Sequence, residues 1–465
     1  MHKPFFFTGE AGAGKTRRLM EQAAALSGQL LARPHQRVLA MAVMHGARRH
    51  LRSTLDRLCP TLPVDVSTVH SFALTVVNRW RRSLDLARPI TICSTPCGLD
   101  ERNHRTQATF DELTDLASKL LESPTVRNSL GGTYPLAIVD EFQDCVGGTL
   151  KMVQNLGKAC TLMLAADEFQ FLQGDGVCPA VAWAGELREQ GAVFYEDLAG
   201  CRRTNEQAIL RAARALRDDV RATNHTVPVY WAPTPPMLAW RIVERFLPWS
   251  SQQPIHAGTC ALIALSLDDP LLESLLQSFQ NQLSRRMPKA QVRWVRQLTE
   301  EETVERLLGL LGISDGGAAG NIWKPPHLVN DSHAAAIARE IERFAKLRGI
   351  QAITHELVVQ FARLSAHNAL AFGRSSPRFQ VLTVHGAKNR EFDHVFVFWG
   401  YKSAGWPVEQ QRRLLYNAVT RAKSDCTVLV VGNQGRIQRD SVLSLLGPAL
   451  PAIISTPKGK RKSQP

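Results

Sequence analysis

A phosphate-binding loop near the start of the chain constrains the fold more than any other feature. Residues 9–16 read Gly-Glu-Ala-Gly-Ala-Gly-Lys-Thr and fit the pattern G-x-x-x-x-G-K-[ST] in full. Residues 5–7 before the loop predict a buried strand, and residues 15–25 predict a helix that the loop opens. A strand, a glycine-rich loop and a helix in this order are typical of an α/β nucleotide-binding core.

The loop supplies the candidate nucleotide-binding residues. Its glycines let backbone N–H groups wrap phosphate groups, and the N-terminus of the helix adds positive potential. We expect Lys15 to reach the β- and γ-phosphates and the Thr16 hydroxyl to bind Mg²⁺. The alternative is an ordinary glycine-rich turn. The candidate residues are Gly9, Glu10, Ala11, Gly12, Ala13, Gly14, Lys15 and Thr16.

An apolar segment that ends in carboxylates supplies the candidate catalytic acids. Residues 136–144 read Leu-Ala-Ile-Val-Asp-Glu-Phe-Gln-Asp. Beside a phosphate loop, a strand of this kind would place Asp140 on the magnesium ion, and Glu141 could orient or deprotonate the attacking water. The alternative is a solvated strand end, which the phosphate loop earlier in the chain disfavours.

Composition narrows the class of protein. With 465 residues, 44% hydrophobic and 21% charged, the chain can bury several cores and is not disordered. A net charge of +14 favours a polyanionic partner, most simply nucleic acid. We expect a cytoplasmic protein without a membrane partner, because no apolar run approaches the ~18 residues of a membrane helix and no export signal is recognised. Nine scattered cysteines do not suggest a disulfide framework.

Strand and helix signals alternate along the chain and predict two parallel sheets, each interrupted by a mainly helical insertion. The first core is expected over 1–74 and 133–197, with an insertion at 75–132. The second is expected over 198–284 and 376–456, with an insertion at 285–375 and a disordered basic tail at 457–465. Further strands are predicted at 38–43, 136–139, 160–165, 259–267, 379–384, 395–398 and 427–431, helices at 205–216 and 408–423, and a proline-rich connector at 228–236.

Five further segments complete an ordered set of motifs. They are residues 66–72 (Val-Ser-Thr-Val-His-Ser-Phe), 166–170 (Ala-Asp-Glu-Phe-Gln), 198–204 (Leu-Ala-Gly-Cys-Arg-Arg-Thr), 382–392 (Leu-Thr-Val-His-Gly-Ala-Lys-Asn-Arg-Glu-Phe) and 412–422 (Arg-Arg-Leu-Leu-Tyr-Asn-Ala-Val-Thr-Arg-Ala). With the phosphate loop and a D-E-x-Q-D box at 140–144, they resemble the motifs of the UvrD/Rep-like helicases of superfamily 1A. The resemblance covers nearly the whole chain in the correct order.

The resemblance implies an α/β fold of two RecA-like parallel-sheet P-loop NTPase cores with ATP and Mg²⁺ between them. It implies that Gln170 senses the γ-phosphate, that Glu391 binds the nucleotide sugar and that Arg17 packs on the adenine. Arg203 and Arg421 would come from the second core and neutralise charge on the γ-phosphate, which couples hydrolysis to closure of the cleft. The expected catalytic residues are therefore Lys15, Glu141, Gln170, Arg203 and Arg421.

Candidate nucleic-acid contacts come from two kinds of segment. Residues 79–82 and 285–296 interleave arginine with tryptophan, as single-strand binders do. His70, Phe72 and His385 lie in motifs that the resemblance associates with DNA or with the contact between the cores. The alternative for both tryptophans is a place in the core of an amphipathic helix. The expected contacts are His70, Phe72, Arg79, Trp80, Arg293, Trp294 and His385.

Departures from the family pattern concern the strand-gripping segments rather than the ATP motifs. The family's T-F-T-N-K-A-A aligns with residues 42–48, which keep almost none of its polar groups. Residues 171–174 read Phe-Leu-Gln-Gly in place of S-I-Y-x-x-R-G, and Asn389 stands where the family carries glycine. The eight residues before Gly9 contain no upstream glutamine motif.

Two function hypotheses remain open at this point. The first is an ATP-dependent translocase or helicase on single-stranded or tailed DNA, with the 3′→5′ polarity that the resemblance implies. The second is a DNA-stimulated ATPase subunit that senses DNA or controls a partner nuclease and unwinds little, as in phage-defence systems. A small-molecule kinase or GTPase is disfavoured, because it has no use for Arg203 and Arg421.

Overall fold

Two parallel β-sheets organise the chain and confirm the predicted α/β fold class. The structure is a computed structural model, and it describes residues 3–43, 45–86, 88–92, 107–174, 176–247, 258–288, 292–298, 300–313, 321–325, 331–372, 377–400 and 405–452. Within these ranges one sheet has six strands, the other has seven, and a small pair of strands stands apart.

The strands and helices are numbered in chain order. The strands are β1 (Phe5–Gly9), β2 (Val38–Ala42), β3 (Val64–Thr68), β4 (Thr91–Ile92), β5 (Gln107–Ala108), β6 (Leu136–Asp140), β7 (Thr161–Ala166), β8 (Phe194–Leu198), β9 (Val229–Ala232), β10 (Cys260–Ala264), β11 (Val295–Arg296), β12 (Phe379–Thr383), β13 (Phe392–Trp399), β14 (Ala422–Val431) and β15 (Leu450–Pro451). The helices are α1 (Lys15–Leu30), α2 (His45–Leu58), α3 (Val69–Trp80), α4 (Phe110–Leu120), α5 (Pro124–Thr133), α6 (Gly147–Leu156), α7 (Pro179–Glu189), α8 (Gln207–Asp218), α9 (Pro235–Glu244), α10 (Pro270–Arg286), α11 (Glu300–Leu310), α12 (Ser332–Arg348), α13 (His355–Phe372), α14 (Val408–Val419) and α15 (Gln434–Gln438).

The first sheet has the order β3-β2-β6-β7-β1-β8, and its neighbouring strands pair in parallel. Its central strands β2, β6 and β7 are buried at every position because helices cover both faces. Successive residues alternate between the two faces, so Phe6 and Val139 belong to one core while Phe7 and Ile138 belong to the other. The carboxyl ends of β1, β6 and β7 therefore open at one edge, where their loops meet.

The second sheet has the order β11-β12-β10-β13-β14-β9-β15. The strands from β12 to β15 pair in parallel. The same alternation divides its buried side chains, with Ile263 and Val395 in one core and Leu262 and Phe396 in the other. The core that contains Ile263 also contains Ala11 and other residues from the edge of the first sheet, so the two RecA-like cores pack directly on each other.

Residues 296–377 form a compact unit of their own. Within it α11, α12 and α13 enclose a small apolar core that includes Leu311, Ile337 and Ile341. Trp323 is 3% exposed in this core, and its indole N–H donates to the carbonyl of Leu311 at 2.8 Å. This hydrogen bond satisfies the polar atom that burial of a tryptophan ring brings with it.

Several sequence predictions of secondary structure need correction. The predicted connector at 228–236 contains strand β9 and the start of α9, because its prolines lie at element ends and leave the strand's N–H groups intact. The predicted helix at 408–423 ends at Val419, and β14 begins at Ala422. Strands β3 and β8 were not predicted at all.

The expected insertion at 75–132 does not begin at an element boundary. Helix α3 runs across the expected boundary at residue 75, and α4 and α5 follow in the segment up to 132. The basic tail at 457–465 lies outside the described residues. Among the helices that the structure describes, none is both long and apolar enough to span a bilayer.

Candidate functional site

The phosphate loop connects β1 to the first turn of α1, and two of its glycines have conformations that other residues rarely adopt. Gly12 has φ +82° and Gly14 has φ +90°. A Cβ on Gly12 would lie 2.6 Å from the Sγ of Cys201 and 2.9 Å from the Cβ of Arg203. The chain after β8 thus packs closely on the loop, and only glycine leaves room for both.

Lys15 is the first residue of α1, and its side chain folds back over the loop. Its Nζ donates to the carbonyl oxygens of Gly9 and Glu10, at 2.9 Å in each case, and lies 3.9 Å from Oδ2 of the buried Asp167. The ammonium group is thus held at the mouth of the loop, where backbone N–H groups and the helix N-terminus favour an anion.

Thr16 and Asp140 meet between α1 and the end of β6. The Thr16 hydroxyl donates to Oδ2 of Asp140 at 2.8 Å. These hard oxygen atoms are the ligands that Mg²⁺ prefers, and the ion usually takes water and phosphate oxygens for its other positions. Among the described residues, no group of three or more acidic, histidine or cysteine side chains suited to a metal occurs. The two side chains therefore fit the predicted magnesium site.

Glu141 follows Asp140 in a left-handed backbone conformation, with φ +56°. For a glutamate this conformation is strained, and such strain is concentrated at functional sites. The amide of the fully buried Gln143 donates to Oε2 of Glu141, and its carbonyl oxygen accepts from the backbone N–H of Asp167 at 3.0 Å. Gln143 therefore fixes the direction in which the Glu141 carboxylate points.

Arg203 approaches the same region from the segment after β8. Its Nε donates to Oε1 of Glu391 at 2.6 Å, and its Nη1 donates to the carbonyl of Thr420 at 2.8 Å. Both acceptors belong to the second core. Glu391, expected to bind the nucleotide sugar, forms an ion pair with this arginine.

Arg421 lies between α14 and β14 and is 1% exposed. Its Nη2 donates to Oε1 of Gln170 at 3.2 Å, and its Nε donates to the carbonyl of Asn417 at 3.0 Å. Burial, and then the nearby charge of Arg203, lower the pKa of Arg421 to about 10, so it remains a cation at neutral pH. Arg421 and Gln170 thus form a direct hydrogen bond between the two cores.

A cavity of about 260 Å³ joins these groups. It receives the metal-site pair and Glu141 from the first core and residues from the second core opposite them. Its lining residues are Thr16, Ala47, Asp140, Glu141, Arg203, Asn389 and Glu391. The cavity therefore brings together the predicted magnesium ligands, the predicted base and one predicted arginine.

A buried polar network beside the phosphate loop was not predicted from the sequence. The Tyr416 hydroxyl accepts from the backbone N–H of Ala11 at 2.9 Å and contacts Oδ2 of Asp167 at 3.2 Å. Arg217 donates to Oδ1 of Asp167 at 2.8 Å. Burial alone would raise the pKa of Asp167, but Lys15 and Arg217 together lower it. The resemblance included Tyr416 and Asp167 in motifs, whereas Arg217 carries no sequence signal.

A second unpredicted contact between the cores involves Lys388. Its Nζ lies 2.6 Å and 2.7 Å from the two carboxylate oxygens of Asp144 and 3.0 Å from the carbonyl oxygen of Gln170. Both charged side chains are at most 5% exposed. Burial raises the pKa of Asp144 to about 6, although Lys388 opposes the rise.

Arg202 also lies against the phosphate loop. Its backbone N–H donates to the carbonyl of Gly12 at 2.7 Å, and its Cδ lies 3.2 Å from the position of a Cβ on Gly14. The motif singled out the neighbouring Arg203, so this exposed guanidinium was missed.

Arg17 does not join the cavity in this structure. Its side chain is 54% exposed and pairs with Glu21 at 2.7 Å, one helical turn further along α1. Arg17 is thus a solvent-exposed residue in the first turn of α1 in this structure.

Two expected DNA contacts take part in core packing. Phe72 is 4% exposed and packs edge-on against Tyr134, with ring centroids 6.4 Å apart. Trp294 is partly buried against the core of the second sheet, where it packs against Phe279 and Phe379 at 5.9 Å and 5.8 Å. Both rings thus contribute to packing in this structure.

The remaining expected DNA contacts differ in exposure. Arg79, Arg293 and His385 are exposed, whereas Trp80 is half-buried against the core of the first sheet. The His70 ring packs on that of Phe110, with centroids 4.7 Å apart.

Comparison with known proteins identifies both sides of the cleft. A family model described as an AAA domain matches residues 1–174, which include the phosphate loop, Asp140, Glu141 and Gln170. A model described as a UvrD-like helicase C-terminal domain matches residues 379–429, which include Lys388, Glu391 and Arg421. A search of curated proteins finds no match. The two matches lie on opposite sides of one cavity and support a UvrD/Rep-like superfamily 1 helicase.

Proposed function

We propose that this protein is a cytoplasmic ATP-dependent DNA translocase or helicase that hydrolyses ATP with Mg²⁺ and moves along single-stranded DNA in the 3′→5′ direction. The observation that carries the proposal is the shared cavity, which Thr16, Asp140 and Glu141 line from the first core and Glu391 from the second. A site of this kind is complete only when the two cores are together, so hydrolysis can be linked to their movement.

The proposed chemistry divides among the residues of the cleft. Lys15 and the backbone of the phosphate loop bind the phosphates, and Thr16 and Asp140 hold the magnesium ion, which neutralises phosphate charge when bound. Glu141, aligned by Gln143, accepts the proton of the attacking water.

Two arginines complete the proposed site. Arg203 lines the cavity, whereas Arg421 is hydrogen-bonded to the Gln170 side chain outside the lining residues. Both stabilise the charge that develops on the terminal phosphate. Because Arg421 and Gln170 belong to different cores, their hydrogen bond links the two cores at the proposed site.

The proposed partner is single-stranded or tailed DNA. The net charge of +14 supports a polyanion, and the exposed Arg79, Arg293 and His385 are available to contact phosphates. A second candidate function is a DNA-stimulated ATPase subunit that works with a partner such as a nuclease and unwinds little. It is favoured by the burial of Phe72 and Phe171 and by the packing of Trp294, which remove three rings from base stacking.

ATP turnover measured with single-stranded DNA, with duplex DNA and without DNA tests the proposal. We expect single-stranded DNA to stimulate hydrolysis and Lys15→Ala to abolish it. The proposed function would be contradicted if DNA did not change the rate of ATP turnover, or if Lys15→Ala turned over ATP at the wild-type rate.

Strand displacement then separates the two candidates. Duplexes with a 3′ tail, a 5′ tail or no tail are incubated with the purified chain, alone and with excess ATP. Displacement confined to the 3′-tailed duplex supports the 3′→5′ helicase, whereas DNA-stimulated hydrolysis without displacement supports the ATPase subunit.

A further inference from the structure

The loop between β12 and β13 contains a residue whose side chain is not needed for the shape of the loop. Asn389 has φ +61°, in the left-handed region that favours glycine and that asparagine also tolerates. Glycine is the residue that the family pattern has at this position. The backbone conformation is thus the one that glycine would adopt, and the amide is an addition to it.

The added amide has an unsatisfied donor. Nδ2 of Asn389 is buried and has no hydrogen-bond acceptor among the residues that the structure describes. Buried polar groups in folded proteins almost always have a partner, so an unpaired donor in a native structure calls for a ligand or another acceptor.

The cavity beside Asn389 can supply that acceptor once the side-chain amide turns toward it, because Nδ2 itself has almost no accessible surface in this structure. Asn389 lines it together with Thr16, Asp140, Glu141 and Arg203. These four side chains are the ones suited to the metal ion, the attacking water and the charge of a terminal phosphate. A phosphate oxygen is a strong, negatively charged acceptor, and hydrogen bonds to charged groups are the stronger kind.

We infer that Nδ2 of Asn389 donates a hydrogen bond to the terminal phosphate of bound ATP and makes the second core sensitive to the presence of that phosphate. The inference rests on the proposed function, since it assigns a residue to the same site. When the terminal phosphate has left, the amide loses its acceptor, so Asn389 favours the triphosphate over the diphosphate.

The test compares nucleotide binding by three variants with the wild type. Asn389→Gly removes the amide and suits the φ of +61°, so the loop keeps its shape. Asn389→Asp keeps the size of the side chain but replaces the donor with a negative charge. Asp85→Gly is the matched control, because Asp85 is exposed, has φ +56° and does not line the cavity.

We expect Asn389→Gly to weaken binding of a non-hydrolysable ATP analogue roughly 10-fold and to leave ADP binding unchanged. Asn389→Asp should weaken the analogue further, and Asp85→Gly should change neither affinity. Thermal unfolding of each variant shows whether the fold is retained.

Two outcomes overturn the inference. One is an Asn389→Gly variant that binds both nucleotides as the wild type does, and the other is an equal loss of affinity for both. Lys15→Ala separates this failure from that of the proposed function. If Lys15→Ala abolishes ATP turnover while Asn389→Gly has no effect, only the inference about Asn389 is wrong; if the wild type shows no ATP turnover, the proposed function fails.

Discussion

The nucleotide cleft and the expected DNA contacts differ in what holds their side chains. In the cleft, Arg203 and Arg421 each bond to an oxygen atom of another segment, and Gln143 aligns Glu141. Among the expected DNA contacts, Phe72 is buried in a core, Trp294 packs against one, and Arg79 and Arg293 are exposed. The difference shows that a motif placed at the end of a parallel strand specifies a location, whereas a cluster of arginine and tryptophan specifies only an amphipathic surface.

The strongest way to break this comparison is to remove an arginine of the cleft. Arg203→Ala should lower kcat by about 10³-fold while changing ATP affinity little, because an arginine at the terminal phosphate acts mainly in the transition state. Steady-state turnover and nucleotide binding, measured on the same preparation, give the two quantities. Arg57→Ala removes an exposed arginine from α2 and serves as the control. An unchanged kcat in Arg203→Ala would show that this arginine does not complete the site.

A smaller effect on the rate of ATP hydrolysis is expected when Glu141, whose carboxylate Gln143 aligns, is replaced. Glu141→Gln should slow hydrolysis roughly 10²-fold and retain ATP binding, because only the acceptor for the water proton is lost. Single-turnover hydrolysis of prebound ATP isolates this step from binding. Normal turnover by the variant would contradict the role of Glu141 as the base.

Two variants from one helix test which of the expected residues contact DNA. Phe72→Leu in α3 should lower the free energy of unfolding by about 1–2 kcal/mol without changing DNA affinity, because the ring is buried. Arg79→Ala in the last turn of α3 should leave stability unchanged and reduce the salt dependence of single-strand binding by about 0.7 in logarithmic slope. If Phe72→Leu weakens DNA binding and Arg79→Ala does not, the assignment of these two residues is reversed.

A further prediction concerns pH and the buried carboxyl of Asp144. Burial raises its pKa from 3.8 to about 6, so the folded chain binds this proton more tightly than the unfolded chain does. The resulting contribution to stability is complete below the unfolded pKa and is lost as the pH rises through the folded pKa. The free energy of unfolding of the wild type, relative to Asp144→Asn, should therefore fall between these two pKa values. Denaturant titrations of both proteins across this range measure the difference, and a rise instead of a fall would contradict the raised pKa.

The fold class was predictable because local patterns and topology agree. Apolar runs such as β6 and β7 alternate with helices, and that order requires parallel sheets with loops gathered at one edge. The closeness of Thr16 to Asp140 follows from this rule, because their loops leave the same edge of one sheet.

The missed features depend on context that a local pattern does not carry. Strand β8 reads Phe-Tyr-Glu-Asp-Leu and lies at the edge of its sheet, so it needs no continuous apolar run. Between α14 and β14 no glycine or proline marks the change from helix to strand, and the prediction therefore extended the helix. Arg217 reaches Asp167 only because α8 packs beside the first core, which no spacing in the sequence reveals.

The ion pair between Lys388 and Asp144 has a consequence for how easily the cleft can part. An apolar contact of the same size would resist separation, because parting it exposes hydrocarbon to water. A buried ion pair behaves differently, since the desolvation that it suffers on closing offsets much of its attraction, and water solvates both charges on opening. The ion pair between Lys388 and Asp144 therefore aligns the two cores while resisting their separation less than an apolar contact of the same size would.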